Sequence, residues 1–211
     1  MESPETLVLA SASPRRRALL AGAGIGFEVL PSNADESLEP GLEPEHAARV
    51  LAVRKARAVH ALRAGRPELI LAADTVVAVG EGAELELLGK PVDEADARRM
   101  LCRLSETRHR VVTGICVLDA RLPLTTPGEE LLVDHERTWV HMRRILEEEV
   151  EAYVASGEWQ DKAGGYAIQE TADRFVTRLE GGGFDNVVGL PVELTLALLR
   201  RGGLEAPTQE P

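Results

Sequence analysis

The chain has little cysteine, few aromatic residues and no long apolar run, and each shortage closes off a class of protein. Two cysteines, Cys102 and Cys116, are too few for a structural zinc site, and both stand among apolar neighbours. They read as buried reduced thiols, ahead of a disulfide or a nucleophile. Aromatic residues make up 3% of the chain, which leaves little for stacking on bases. A formal charge of −11 and a pI near 5.0 argue against a surface for nucleic acid or anionic lipid. No stretch reaches the roughly 20 apolar residues of a membrane span, and Met1 to Glu5 lack the basic start and apolar core of a signal peptide. The expectation is a cytoplasmic protein without a membrane or nucleic-acid partner. Also missing are Gly-x-x-x-x-Gly-Lys-Ser/Thr and a Gly-x-Gly-x-x-Gly in a strand-turn-helix setting, so any grip on phosphate must use another scaffold.

What is present suits one sizeable domain: 211 residues, 44% of them hydrophobic, with no internal repeat. A core over about residues 6–200 is expected, with a loose start and a disordered tail over 203–211. The stretch from Leu7 to Arg17 reads as a strand feeding a helix, Ser13 being the N-cap and Pro14 opening the first turn. Arg15, Arg16 and Arg17 then crowd a helix start, where the dipole favours negative charge. Either they lie on a solvated face, or an anion held by the serines and guanidinium groups reverses the penalty.

Phe27 to Leu30 reads as a short strand, and 31–43 as a polar loop carrying Asp35 and Glu36. A helix is expected from Pro44 to about Ala64, with Ala48, Leu51, Ala52, Val59 and Leu62 on one face. Lys55 falls on that same face, where it either snorkels outward or points into a cleft. Leu69 to Val79 is nearly continuous in apolar residues and reads as a strand buried on both sides. Asp74 interrupts it, and a carboxylate there needs cations, hydrogen bonds or metal.

Lys90 precedes a helix that begins near Asp93. Strands follow over His109 to Leu118 and Leu131 to Met142, then an acidic helix from Leu146 to Ala155. His109 is a candidate base or a structural histidine. Gly164 and Gly165 separate Asp161-Lys162 from an expected strand ending at Gln169. Two strands joined by a turn are expected through Leu179, then a glycine-rich turn, a short strand before Pro191, and a helix through Leu199.

Arg15, Arg16, Lys55 and Lys90, with Glu36 and Asp74, lie in loops, at element ends or out of pattern. This is the combination that binds a polyphosphate with a divalent cation, carboxylates for the hard metal and cations for the phosphates. The segments Ser11–Arg16, Ala73–Val77, Gly89–Pro91, Leu104 to Gly114, Asp161–Gln169 and Asn186–Pro191 together resemble the Maf family of nucleotide pyrophosphatases, in order from about Leu7 to Leu199.

The resemblance implies an α/β fold similar to the inosine triphosphate pyrophosphatases: a long mixed β-sheet flanked by helices, two lobes, a deep cleft and a homodimer. It also implies hydrolysis of a nucleoside triphosphate to the monophosphate and pyrophosphate with Mg²⁺ or Mn²⁺. Asp74 would be the proton acceptor and would share the metal with Glu36. Ser11, Ser13, Arg16, Lys55, Lys90 and Lys162 would contact phosphates. Arg15, Thr75 and Gln169 resemble the branch acting on dTTP and UTP rather than the 7-methyl-GTP branch. A nucleotide-binding regulator of cell division without turnover is the alternative, and the retained Asp74 and Glu36 argue against it. Glu106 stands where the family commonly has glycine, and Phe184 where a tyrosine is common.

Overall fold

The computed structural model describes residues 6–63, 66–121 and 131–204. In chain order these form β1 (Leu7–Leu9), α1 (Pro14–Gly22), β2 (Glu28–Val29), α2 (Pro44–Leu62), β3 (Leu69–Val79), β4 (Glu86–Leu88) and α3 (Glu94–Leu104). They continue with β5 (Arg108–Asp119), β6 (Leu131–Met142), α4 (Glu147–Ser156), β7 (Val176–Glu180), α5 (Phe184–Val188) and α6 (Val192–Arg201). The expected end residue Ala64, the start 1–5 and the tail from Glu205 lie outside the described residues. Among those described, no helix is long and apolar enough to cross a membrane.

One mixed sheet of order β2-β1-β3-β5-β6-β7 organises these elements, with β4 also on β3. β1 runs parallel to β2 and β3, while β3 is antiparallel to β4 and β5, and β6 is antiparallel to both its neighbours. The register of β3 explains where a cleft can form. On one side it pairs with β5 from Leu69 through Ala78. On the other, β1 pairs only from Leu69 to Leu71 and β4 only from Val77 to Val79. Asp74 and Thr75 therefore fall on a stretch of central strand whose second edge is open.

Strand alternation assigns the faces. Ala72 and Val76 pack with Ala52, Ala56, Ala48 and Leu51 of α2, so Asp74 shares the α2 face. Ala73 belongs to a core with Leu20 of α1 and Leu196 and Leu199 of α6. Val77 belongs to a second core built by Met100 and Leu101 of α3, Tyr153 of α4 and Phe175. Thr75 sits between these two cores, which are the two lobes. α2 lies close to the sheet because Gly114 has no side chain: a Cβ there would come within 2.4 Å of the Ala48 backbone.

Four local expectations need correction. The segment before Gln169 is not a strand; Ala163–Gly165 and Thr171–Phe175 form short 3₁₀ turns, and only β7 follows. Gly164 and Gly165 have φ of 71° and 70°, which breaks an extended run. The stretch before Pro191 is the short helix α5 rather than a strand, because Asp185 holds the turn with bonds from the Asn186 and Val192 amides. Cys102 is exposed, on the face of α3 away from its buried Ala97, Met100, Leu101 and Leu104, whereas Cys116 is buried as expected. Leu62, in the last turn of α2, is also exposed.

Candidate active site

The open edge of β3 lies at the bottom of a cleft of about 1290 Å³, and the walls come from both lobes. Every residue assigned to the phosphates, the metal or the base lines it: Ser11, Ser13, Arg15 and Arg16 from the start of α1, Glu36 from the loop after β2, Lys55 from α2, Asp74 and Thr75 from β3, Lys90, and Lys162 and Gln169 from the segment after α4.

At the centre, four charges alternate. Asp74 is 7% exposed and Lys55 8%, so each needs a partner. The Lys55 ammonium donates to the Asp74 carboxylate and lies 2.7 Å from Glu36 Oε1. Lys90 Nζ donates to Glu36 Oε2 at 3.2 Å. Of the two readings open for Lys55, the structure selects the inward one. Burial alone would raise the Glu36 carboxyl, but the hydrogen bond and charge of Lys55, with those of Lys90, hold it below the usual carboxylate range.

The second group surrounds the start of α1. Ser13 caps the helix by accepting from the Arg16 amide at 3.4 Å, as its sequence position predicts. The Ser13 amide donates to Ser11 Oγ at 3.2 Å. The Arg16 side chain turns to the protein: Nε donates to the Gly189 carbonyl at 2.8 Å, Nη2 to Thr75 Oγ1 at 3.1 Å, and Nη1 reaches Ser11 Oγ at 3.4 Å. Burial, the Asp74 charge, the Arg15 charge and the Glu36 charge act on it in that order, with a net lowering from the ordinary arginine value. Arginine stays a cation throughout. Lys162 reaches Gln160 O at 3.4 Å and Glu170 Oε2 at 3.5 Å.

Behind the cleft, His109 is fully buried with Nε2 2.7 Å from Tyr166 Oη, the rings meeting edge to face. Burial first, and the nearby His141 second, push its pKa down to about 3. His109 is therefore neutral near pH 7 and braces Tyr166, a cleft-wall residue. That decides for the structural reading over the base. Sequence reasoning left Thr113 and Asn186 inside motifs without a role. Both are buried, and both are hydrogen-bonded toward Thr75 through Thr113 Oγ1.

As for a metal, the donor set on offer is the Glu36 and Asp74 carboxylates. Among the described residues no group of three or more His, Cys, Asp or Glu side chains is placed to hold an ion. Two carboxylates suit the hard, incompletely caged coordination of magnesium, which takes its remaining ligands from water and phosphate. The residues fit an ion shared with a phosphorylated substrate.

The sequence profile described as Maf-like protein matches residues 6–202. A dTTP/UTP pyrophosphatase from Anaeromyxobacter dehalogenans is 44% identical over 205 residues, covering 97% of this chain and 98% of that one. A protein of the same name from Thermomicrobium roseum is 48% identical over 206 residues, 97% of this chain and 88% of that one. Among solved structures, a HAM1 protein from Coxiella burnetii aligns at 15% identity and a TM-score of 0.49, over 93% of this chain and 99% of that one.

Proposed function

The chain belongs to the Maf-like protein family, and from that premise we propose that it is a nucleoside triphosphate pyrophosphatase acting on dTTP and UTP, with release of the monophosphate and pyrophosphate. The observation that carries the reading to chemistry is the chain from buried Asp74 through buried Lys55 to exposed Glu36 at the open edge of β3. A carboxylate in that position, beside two lysines, suits attack of water on a phosphate anhydride, where positioning and charge stabilisation do most of the work.

In this reading water adds to a phosphorus of the α–β bridge, the bridging P–O bond breaks, and pyrophosphate leaves. Asp74 takes the proton from water. Lys55 orients Asp74 by donating to it, and with Lys90 it faces the charge that grows on the phosphate oxygens. Ser11, Ser13 and Lys162 bind the polyphosphate, and Arg16 and Arg15 add positive charge beside it. Gln169 and Thr75 read the base. Glu36 and Asp74 would hold a divalent cation, Mg²⁺ or Mn²⁺, which when bound neutralises phosphate charge and acidifies water. The same reading carries a homodimer in the cytoplasm as its setting, on the strength of the family resemblance.

The test is product analysis over dTTP, UTP, CTP, GTP and 7-methyl-GTP with Mg²⁺ or Mn²⁺, and again with chelator. The expected outcome is monophosphate and pyrophosphate in equal amounts, dTTP and UTP turned over in preference, and loss of turnover with chelator. Preference for 7-methyl-GTP would overturn the substrate, and release of orthophosphate alone would overturn the bond cleaved.

A further inference from the structure

The two carboxylates offered to a metal already share a cation of the protein's own. Lys55 Nζ lies 2.7 Å from Glu36 Oε1 and donates to Asp74 Oδ1, so one ammonium bridges both acids. Lys90 Nζ donates to the other oxygen of Glu36, Oε2, at 3.2 Å. Three of the four carboxylate oxygens therefore carry a lysine. Arg16 is near enough to feel the charges of Asp74 and Glu36 as well. With three cations acting on two carboxylates, this part of the cleft has no surplus of negative charge for a free divalent ion, whose affinity follows the charge of its ligands.

The two lysines are not equivalent. The Lys90 side chain is 53% exposed and can exchange Glu36 for water. Lys55 is buried, and α2, which carries it, is seated on the sheet by the close approach at Gly114. An ion shared by Asp74 and Glu36 and an ammonium bonded to both cannot occupy the same gap. Driven from it with nothing in exchange, the Lys55 ammonium would be a buried charge without a partner, which is strongly unfavourable. A nucleoside triphosphate changes both sides of that balance. Its phosphate oxygens give the displaced ammonium new acceptors and give the ion further ligands.

We propose that Lys55 is a resident counter-cation, which holds the gap between Asp74 and Glu36 against free divalent ions and turns to phosphate when the metal arrives with a nucleotide. The proposal rests on the nucleotide pyrophosphatase reading above and deepens it, because the ligand that the site takes is then the metal–nucleotide complex. Coupling between two ligands is reciprocal, so nucleotide tightens metal binding by the same factor as metal tightens nucleotide binding.

The experiment follows Mn²⁺ binding to the nucleotide-free protein by electron paramagnetic resonance, in the wild type and in Lys55→Met, which keeps the apolar stem and removes the charge. The variant should bind Mn²⁺ at least about tenfold more tightly than the wild type. Equal affinity in a variant that circular dichroism shows to be folded overturns the proposal. A second arm uses the wild-type protein alone and is independent of the variant's fold. The proton–nitrogen correlation signal of the Lys55 ammonium is followed as Mg²⁺ is added, without and then with a UTP analogue that carries an imido bridge between its α- and β-phosphates. The signal should stay in place with Mg²⁺ alone and move when both are present. Movement with Mg²⁺ alone, or none with both, overturns the proposal. The Mn²⁺ titration needs no nucleotide, so wild-type protein inert toward dTTP and UTP would strike the pyrophosphatase reading while tighter Mn²⁺ binding by Lys55→Met still placed Lys55 in the gap.

Discussion

The ammonium of Lys55 stands between the carboxylates of Asp74 and Glu36, and that single placement gives two buried charges their partners. Asp74 and Lys55 were legible in the sequence because each breaks an apolar pattern, one in a strand and one on a helix face, and burying a charge is costly enough to demand a reason. Thr113 and Asn186 were not, because a threonine among β-branched residues is ordinary and hydrogen-bond direction is a property of three-dimensional neighbours. His109 yields a prediction at this scale. Its folded pKa of about 3 lies below the ordinary value of 6.5. Between those limits the unfolded chain takes up a proton that the folded one refuses, so this histidine makes stability fall as pH falls through the window. His109→Gln should flatten the stability profile from pH 6.5 downward, as followed by denaturant titration at several pH values. Slopes equal to wild type would contradict it.

Among the elements, β3 and α2 do most to place the site, and both were recognisable from periodicity. What periodicity could not reveal is that β1 and β4 cover only the two ends of one β3 edge, since pairing length depends on where the neighbouring strands stop. The strand expected before Gln169 failed for a related reason: an apolar run of Tyr166, Ala167 and Ile168 is buried here as a turn, under backbone conformations that only the paired glycines make easy. The closeness of α2 to the sheet is testable at Gly114. A Cβ would strike the Ala48 backbone, so Gly114→Ala should destabilise by about 1–3 kcal/mol and lower kcat/KM by displacing the helix that carries Lys55. Denaturation and steady-state kinetics on the same sample would check both. Glu106 gives the opposite sign. It holds φ of 59° at the end of α3, a conformation that costs a side chain about 1 kcal/mol. Glu106→Gly should raise stability by up to about that amount, and a loss of stability would argue that the glutamate side chain compensates the strain.

On the scale of the whole molecule, an acidic chain of net charge −11 gathers Arg15, Arg16, Lys55, Lys90 and Lys162 around one cleft. Net charge argued against a nucleic-acid surface but concealed this local reversal, which became visible only as residues distant in sequence were set side by side. The two lobes follow from two cores on one face of the sheet, and the cleft opens at the uncovered β3 edge, with Thr75 on the side of those cores and Asp74 on the α2 side. The account therefore stands on Asp74. The measurement that tests it most directly is pyrophosphate release from dTTP by wild-type protein and by Asp74→Asn, with dTTP binding to each followed by calorimetry. The account predicts turnover lowered at least about 100-fold with binding still measurable in the variant. Turnover by Asp74→Asn within a few-fold of wild type would contradict it.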